Sequence, residues 1–567
     1  MQIALLISIV DVIGCRNFNF EDNRMNFVLD NLSALPRLVS DNCAYFFGKY
    51  PLSDVSHLPA AELEIPEDFF GICIAPSANP GYNDYLIQTL KGLGLKNVRV
   101  DMMETYATTV SKEFLERLHN EGFNICLHIV QRPMHAFNAD KPQVNKQWRA
   151  TLIKLLDLFG AKIEFVEIGS TVNRRKWTGY TIPSFLKTWN TAYDECKSRN
   201  IQVAAPNVTD FEPPYNITLL AAMRRMNKLP DYHTNNLFAE RATEPEAFDH
   251  KILGTRLAPL HKFNFVKKAR LLSHIAKSNN VKHTISTHVS WSLRRIARTL
   301  ENTEEHQADY VSRYVCLSAI SGGLSRMYWG PLIGQREGLI DDGTDYFPEM
   351  PHVSFYEKAN GSVENYRLRP AFHAYKNAIS FLSGSKYEGS AGRDPNLELH
   401  KFTHNSKFFH VVWTRNGRRA LLSDCYPQSS IEGATFYSRD GIKLMEPPDT
   451  ITESPTFISW ENEPTAGNFP KTLRELNFAG GSERKFSAIE SKGFFGVLTT
   501  ELNGKKIGAD FFEPSKLREA ETELLRDTRN RIWEIKASSD TFVVKYYRPR
   551  NRARRILNMF RHGKPRR

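Results

Sequence analysis

The sequence predicts an α/β chain: a (β/α)8 barrel of the TIM type, then a small antiparallel β domain, then a short third unit. Three observations carry this. Eight short apolar runs alternate with helix-like stretches between residues 69 and 330. The runs are apolar nearly throughout, as strands buried on both faces of a parallel sheet must be. After Gly384 the pattern changes to a two-residue alternation broken by turn dipeptides, the mark of antiparallel hairpins.

In order, the runs are "FFGICIAP" (69–76), "KNVRVDM" (96–102), "FNICLHIV" (123–130), "KIEFVEIG" (162–169), "IQVAAPNV" (201–208), "YHTNNLF" (232–238), "KHTISTHVSW" (282–291) and "LSRMYWG" (324–330). Helix-like stretches lie between most of them. "SKEFLERLHNEG" (111–122) puts Phe114, Leu115 and Leu118 on one face and stops at Gly122. "IPSFLKTWNTAYDECKSRN" (182–200) is another. Eight such units suit a closed barrel over residues 66–385. A doubly wound open sheet is the alternative, but no GxGxxG follows the first strand.

Residues 386–505 then read as a β-sandwich-like domain. "LELHKFTHNSKFFHVVWTRNGRRALLSD" (397–424) is expected to turn at Asn416-Gly417, and "GATFYSRDGIKLME" (433–446) at Asp440-Gly441. The first 65 residues have no clear fold, and residues 510–567 form the third unit.

Charge narrows the choice of partners. The 567-residue chain has a net charge of +12, and ten Lys or Arg with no Asp or Glu lie between Thr541 and Arg567. The remainder is nearly neutral, which does not suggest nucleic acid. A basic tail over 548–567 suits phosphates or an anionic membrane face. The seven cysteines are scattered without CxxC spacing. They read as free thiols in a reducing compartment, hence the cytoplasm. The start, "MQIALLISIVDVIGC", ends at Cys15 like a lipoprotein cleavage box. Asp11 interrupts its apolar run, and no Lys or Arg precedes it. Export as a lipoprotein is therefore the alternative localisation.

In (β/α)8 enzymes the site lies at the C-terminal strand ends. Here those ends carry Asp101 and Glu104, His128 and Gln131, Thr171 with Asn173 and Arg174, and Asn207 with Asp210. The later strands carry His233, Asn236 and Glu240, His288 and Trp291, then Trp329. Amides, imidazoles and carboxylates bond hydroxyls, and aromatic faces stack on sugar rings. The expected binding set is Asn173, Arg174, Asn207, His233, Asn236, His288, Trp291 and Trp329. A metal site of His128, His233 and His288 has no supporting spacing, and neither a metal nor a cofactor is expected.

Residues 66–385 resemble the retaining (β/α)8 glycoside hydrolases of clan A. The fourth strand, "FVEIGSTVN", stands where that clan has its acid/base motif. The seventh, "ISTHVSW", is similar to its nucleophile strand. The close, "MYWGPLIGQREGLIDDGTDY" with "YRLRPAFHAYK", is similar to the clan's ending. The resemblance places the acid/base at Thr171 and the nucleophile at His288. Retaining hydrolysis needs two carboxyl groups about 5–5.5 Å apart, and neither residue supplies one. Glu167 matches a Glu that often precedes the motif, and a structural role inside the barrel is expected of it. Displaced carboxylates would have to come from Glu240, Asp210 or Asp101.

The last unit, "RNRIWEI" then "TFVVKYY", resembles the start of the lipopolysaccharide core kinases of the Kdo-kinase type, with Lys545 at the place of the nucleotide-binding Lys. Only 22 residues follow Lys545, none of them Asp or Glu. This N-lobe-like fragment is therefore not expected to act as a kinase by itself. Together these readings point to a glycosidase-like barrel without its usual carboxylate pair. It would bind an oligosaccharide of the bacterial envelope, such as the lipopolysaccharide core. The alternatives are an active hydrolase using displaced carboxylates and a non-enzymatic scaffold with a membrane-facing tail.

Overall fold

The computed structural model describes residues 31, 33–50, 62–104, 108–238, 244–247, 263–297, 300–345, 357–415, 418–465, 467, 469, 486–491, 494–499, 522–527, 530–537 and 540–547. The chain forms two compact units. One comprises 1–252, 263–295 and 304–477; the other comprises 253–262, 296–303 and 478–567.

All eight expected barrel strands are present. They are β1 (Phe70–Ile74), β2 (Asn97–Met103), β3 (Asn124–Val130), β4 (Phe165–Ile168), β5 (Gln202–Thr209), β6 (Tyr232–Asn236), β7 (His283–Ser286) and β8 (Arg326–Trp329). They are parallel and closed, β1 pairing with β2 on one side and β8 on the other. Side chains alternate in and out along each strand. At the barrel floor Arg326 bonds Glu164 (2.7 Å) and Asp68 (2.8 Å). Above it Cys73, Cys126, Phe165, Ala204, Ile285 and Tyr328 form an apolar layer. Gly71 is required there, because a Cβ would lie 2.6 Å from the Tyr328 ring.

The principal helices of this unit are α1 (Leu35–Gly48), α2 (Tyr82–Leu93), α3 (Thr109–Asn120), α4 (Pro142–Phe159), α5 (Ile182–Lys197), α6 (Pro213–Arg225), α7 (Phe265–Lys277), α8 (Thr303–Ile320) and α9 (Pro370–Leu382). In α3 the Thr108 side chain caps Ser111 N, and Phe114, Leu115 and Leu118 are the buried face. A reciprocal Thr181–Ser184 box starts α5. The N-terminal segment is partly integrated: Asn42 of α1 donates to Pro214 O and Thr218 Oγ1 of α6, and Tyr45 OH meets His274 Nδ1 of α7 at 2.7 Å. Cys73, Cys126, Cys196, Cys316 and Cys425 are buried free thiols, and Cys43 is half-buried.

After the barrel come β9 (Lys386–Ser390), β10 (Leu397–His404), β11 (Lys407–Thr414), β12 (Thr435–Tyr437) and β13 (Thr456–Trp460). They form one antiparallel sheet ordered Leu63–Glu64, β9, β10, β11, β13, β12. The tight turn between β10 and β11 is Asn405-Ser406, with φ of 49° and 64°, as a two-residue hairpin with positive φ at both positions demands. The turn expected at Asn416-Gly417 lies outside the described residues. The Asp440-Gly441 turn is present, with Gly441 N bonding Ser438 O. Barrel and sheet belong to one compact unit running to Asn477. The join is ionic as well as apolar. Glu246 Oε1 accepts from Arg313 Nε of α8 and Trp413 Nε1 of β11, both at 2.8 Å, and its Oε2 accepts from Arg313 Nη2 at 2.7 Å.

The second unit holds a hairpin of β14 (Phe486–Ser491) and β15 (Phe494–Thr499). It also holds a three-stranded antiparallel sheet of β16 (Thr522–Asp527), β17 (Asn530–Ala537) and β18 (Asp540–Tyr547). The hairpin expected around Lys545 exists, Lys545 pairing with Ile532. Strand pairing alone does not make this sheet a kinase lobe, and the kinase-like assignment gains no support from it. The tail 548–567 and the segment around Cys15 lie outside the described residues. Among the described residues no helix is long and apolar enough to cross a membrane.

Glu246→Ala should be severe, because it takes from buried Arg313 its two-oxygen partner, leaving Glu244 at 3.7 Å, and removes the Trp413 acceptor. A loss of about 3–5 kcal/mol is expected from urea unfolding. Glu246→Gln, which keeps one acceptor, should lose less. Equal losses would show that the ionic character of the join does not matter.

Candidate functional site

The mouth of the barrel is built by strand alternation. In "KNVRVDM", Val98 and Val100 face the helices, so Arg99 and Asp101 face inward; His128 and Glu167 face inward by the same parity on β3 and β4. Asn207 breaks parity. The β5–β6 register shifts between Pro206 and Val208, and Asn207 has φ +56°. This bulge turns its amide into the barrel.

Arg99, 3 % exposed, is the centre of the resulting network. Its Nε donates to Glu167 Oε2 (2.7 Å) and its Nη1 to Asp101 Oδ1 (2.6 Å), and its Nη2 lies 2.7 Å from His128 Nδ1. His128 Nε2 donates to Gly169 O. Glu167 Oε1 accepts from Asn207 Nδ2 (2.7 Å) and Thr287 Oγ1 (2.8 Å). Asn236 Nδ2 donates to Asn207 Oδ1 at 3.1 Å. Burial alone would raise the pKa of Glu167, but Arg99, His128 and the Asn207 bond together lower it. Asp101 behaves likewise: burial works against its charge, and Arg99 and His128 overcome it, holding the carboxyl at about 2.

Of the two positions singled out by the resemblance, Thr171 is bonded to this hub and His288 follows a residue that is. Asn207 Oδ1 accepts from Thr171 N (2.8 Å) while its Nδ2 bonds Glu167, and Thr287, which bonds Glu167, directly precedes His288. Thr171 has φ +39°, and its hydroxyl oxygen is buried without a protein partner. His288 is buried against the Phe238 ring. Among the described residues, the only carboxylate bonded at this hub to either position's neighbour is Glu167, which is wholly enclosed and held ionised. It has the structural role expected of it and cannot lend a proton.

Several expected ligand-binding residues do other work. His233 turns away from the mouth: its Nε2 meets Asn216 Oδ1 of α6 at 2.7 Å, and burial pushes its pKa down to about 3. It is a neutral packing residue between wall and helix. Trp291 and Trp329 stack on each other, centroids 5.8 Å apart, with exposures of 1 % and 0 %. Neither offers a sugar platform in this state. Asn173 is spent on backbone, its Nδ2 donating to Thr209 O and its Oδ1 accepting from Thr209 N. Arg174 pairs with Asp210 (2.8 Å) and Glu212 (3.3 Å), which ties up Asp210 as a displaced carboxylate. Glu240 lies outside the described residues. Among the described residues no cluster of three or more His, Cys, Asp or Glu could hold a metal.

Three residues of the site were not singled out from sequence. Arg99 could have been, because an Arg at an inward position of a buried strand needs anionic partners. Thr287 had no signal beyond adjacency to His288. Glu357 had none. It lies beyond the barrel strands, half-buried, with its Oε1 unpartnered. Its pKa is pushed up to about 7 by burial and then by the charge of Asp101.

No protein-family model and no curated protein matches the chain. Solved structures do. A family 39 glycoside hydrolase from the gut symbiont Bacteroides cellulosilyticus WH2 is similar at 13 % identity and a TM-score of 0.51, over 70 % of this chain and 81 % of that one. A glucosidase from Croceicoccus marinus matches at 10 % identity and a TM-score of 0.47, over 71 % and 96 %. A family 39 β-xylosidase from Caulobacter crescentus matches at 11 % and 0.45, over 71 % and 98 %. The first establishes a glycoside hydrolase-like TIM-barrel fold; at such identities the likeness is one of fold alone.

Asp101 makes a pH test of the network possible. Its folded pKa lies below its unfolded value, so the stability it contributes is present above about pH 4 and is lost as pH falls through about 2. The contribution is on the order of 2 kcal/mol. Wild type should exceed Asp101→Asn in stability at neutral pH, and the gap should close by about that amount between pH 4 and 2. A gap independent of pH would show that Asp101 is not held ionised by Arg99.

Proposed function

We propose that the barrel is a carbohydrate-binding module of glycoside hydrolase ancestry that does not hydrolyse by the retaining mechanism. The observation that carries this is the hub. The resemblance gives the carboxylate places to Thr171 and His288, and the carboxylate bonded to Asn207 and Thr287 beside them, Glu167, is enclosed and bonded on both oxygens. A glycosidase acid needs a raised pKa and access to the leaving oxygen. Glu167 has a lowered pKa and no access.

Support for a saccharide ligand comes from the fold likeness to a family 39 glycoside hydrolase and from the polar and imidazole side chains that the strand ends carry, Asn236, Thr171 and His288 among them. Binding would use these polar groups rather than an aromatic floor. The finer reading is an envelope oligosaccharide tied to lipopolysaccharide core assembly at the cytoplasmic face. It rests on the resemblance of residues 530–547 to core kinases, with residues 548–567 as a contact to anionic lipid.

Two measurements test this. Aryl glycosides should show no turnover, and an activated fluoroglycoside should leave no covalent adduct, since loss of general acid help alone removes about 10²–10⁴ in rate. Oligosaccharides from a Gram-negative envelope should nonetheless bind in saturation-transfer NMR, and Asn236→Ala should weaken them. An adduct on Asp101, Asp210 or Glu240 would establish a displaced-carboxylate hydrolase instead. Absence of any saccharide binding at millimolar concentration would leave the scaffold reading.

A further inference from the structure

We propose that Trp177, on the loop after β4, is a platform at the barrel rim on which a pyranose ring of the ligand stacks. This deepens the saccharide reading above and rests on it. It supplies at the rim the aromatic contact that the buried Trp291 and Trp329 do not offer.

Trp177 stands apart from the other tryptophans. Among the described residues, Trp148, Trp189, Trp291, Trp329, Trp413 and Trp460 are each at most 5 % exposed, whereas Trp177 is 36 % exposed. The indole N–H groups of Trp148, Trp189, Trp413 and Trp460 each donate to a protein oxygen. Among the described residues the Trp177 side chain has no hydrogen-bond, ring or cation partner. A single exposed apolar side chain needs no explanation. This one has company: Met134, 69 % exposed, lies on the short helix Pro133–Phe137 that follows β3.

The loop that carries Trp177 lies at the ligand face of the barrel. β4 ends at Ile168, and barrels of this type bind ligands at the C-terminal strand ends. From there Arg174 N donates to Thr171 O at 2.7 Å, and Trp177 N donates to Arg174 O at 2.8 Å. Thr178 Oγ1 reaches back to Thr171 O at 3.5 Å. The turn bearing Trp177 is therefore seated on Thr171, the place the resemblance gives to the acid/base.

The same loop is fixed on both flanks. Arg174 pairs with Asp210, just past β5, at 2.8 Å. On the other side the Arg175 guanidinium lies 4.8 Å from the centre of the Phe137 ring. Gly179 closes the turn with φ +81°, and a Cβ there would collide with Pro133 O. The loop thus packs directly on the one that carries Met134. Thr171 and Asp210 have φ of +39° and +58°. Residues with a side chain seldom take such values, and they do so mainly where a site depends on the course of the chain.

The chemistry suits a sugar. One face of a pyranose ring is a patch of C–H groups, and an indole meets it with a flat apolar surface while its N–H remains available to a hydroxyl. A platform held by a fixed loop loses little freedom on binding, so more of the contact appears as affinity.

The full chain should be titrated by calorimetry and saturation-transfer NMR with the oligosaccharide released from a Gram-negative lipopolysaccharide core, and with cellotetraose and xylotetraose. Wild type should bind at least one of them. Trp177→Ala should weaken that binding about tenfold, and Trp177→Phe should keep most of it, with the Tm of both unchanged. Oxidation by N-bromosuccinimide, located by mass spectrometry, should reach Trp177 before the buried tryptophans, and bound oligosaccharide should protect it. The proposal is overturned if Trp177→Ala binds like wild type, or if a bound saccharide leaves Trp177 oxidation unchanged. Weakening by Asn236→Ala but not by Trp177→Ala overturns the platform and keeps the saccharide reading. No binding of any probe to wild type at millimolar concentration overturns both. Self-association that Trp177→Ala abolishes without changing saccharide binding identifies a contact between copies and overturns the platform.

Discussion

The upper half of this barrel is organised by one buried cation. Arg99 reaches its own strand, β3 and β4 at once, through three nitrogens to three side chains. Without it, Glu167 and Asp101 would have to ionise in an enclosed site with no counter-charge, and each would instead protonate or force the strands apart. With it, Glu167 remains an anion with two strong acceptor oxygens. The second of these holds Asn207 on β5 and Thr287 on the end of β7. The positions of Thr171 and His288 therefore descend from Arg99 through a chain of fixed, charge-assisted bonds.

This arrangement also sets the chemistry. A proton donor for glycoside cleavage must be protonated near neutral pH and open to the substrate. Arg99 works the other way on both acids it touches, lowering Glu167 and bringing Asp101 to about 2. Both carboxyl groups bonded to Arg99 are thereby held in the ionised form. Glu357 is the contrasting case. Burial, and after it the charge of Asp101, raises its pKa.

The barrel was legible because its signal is long-range and redundant: eight runs, each apolar on both faces, leave few other arrangements. The hairpin at Asn405-Ser406 was missed because Asn-Gly is the stronger turn signal and drew the expected turn to 416–417; Asn-Ser takes positive φ at more strain but was fixed by the register of β10 and β11. The site was only half legible. Strand ends name candidates, yet which way a side chain points depends on parity and bulges. His233 and Asn207 illustrate this. His233 keeps strict parity and faces α6, while Asn207 is turned inward by a bulge that no residue-level pattern announced. Trp329 shows a further limit: the same residue type serves as a sugar platform or as core, and only its neighbour Trp291 decides.

Polar satisfaction then separates the Glu167 network from its surroundings. Within the network Glu167 is bonded on both oxygens, Asn207 on both ends of its amide, and His128 on both nitrogens. Such a network is rigid and expensive to break, because each member is held by groups that would themselves be stranded. Outside it, Asp101 Oδ2, Ser170 Oγ and Thr171 Oγ1 at the strand ends are buried with no partner inside the protein. Buried acceptors are rarely left so without compensation. The saturated network around Glu167 therefore fixes the shape of the mouth, because moving any one member strands the others.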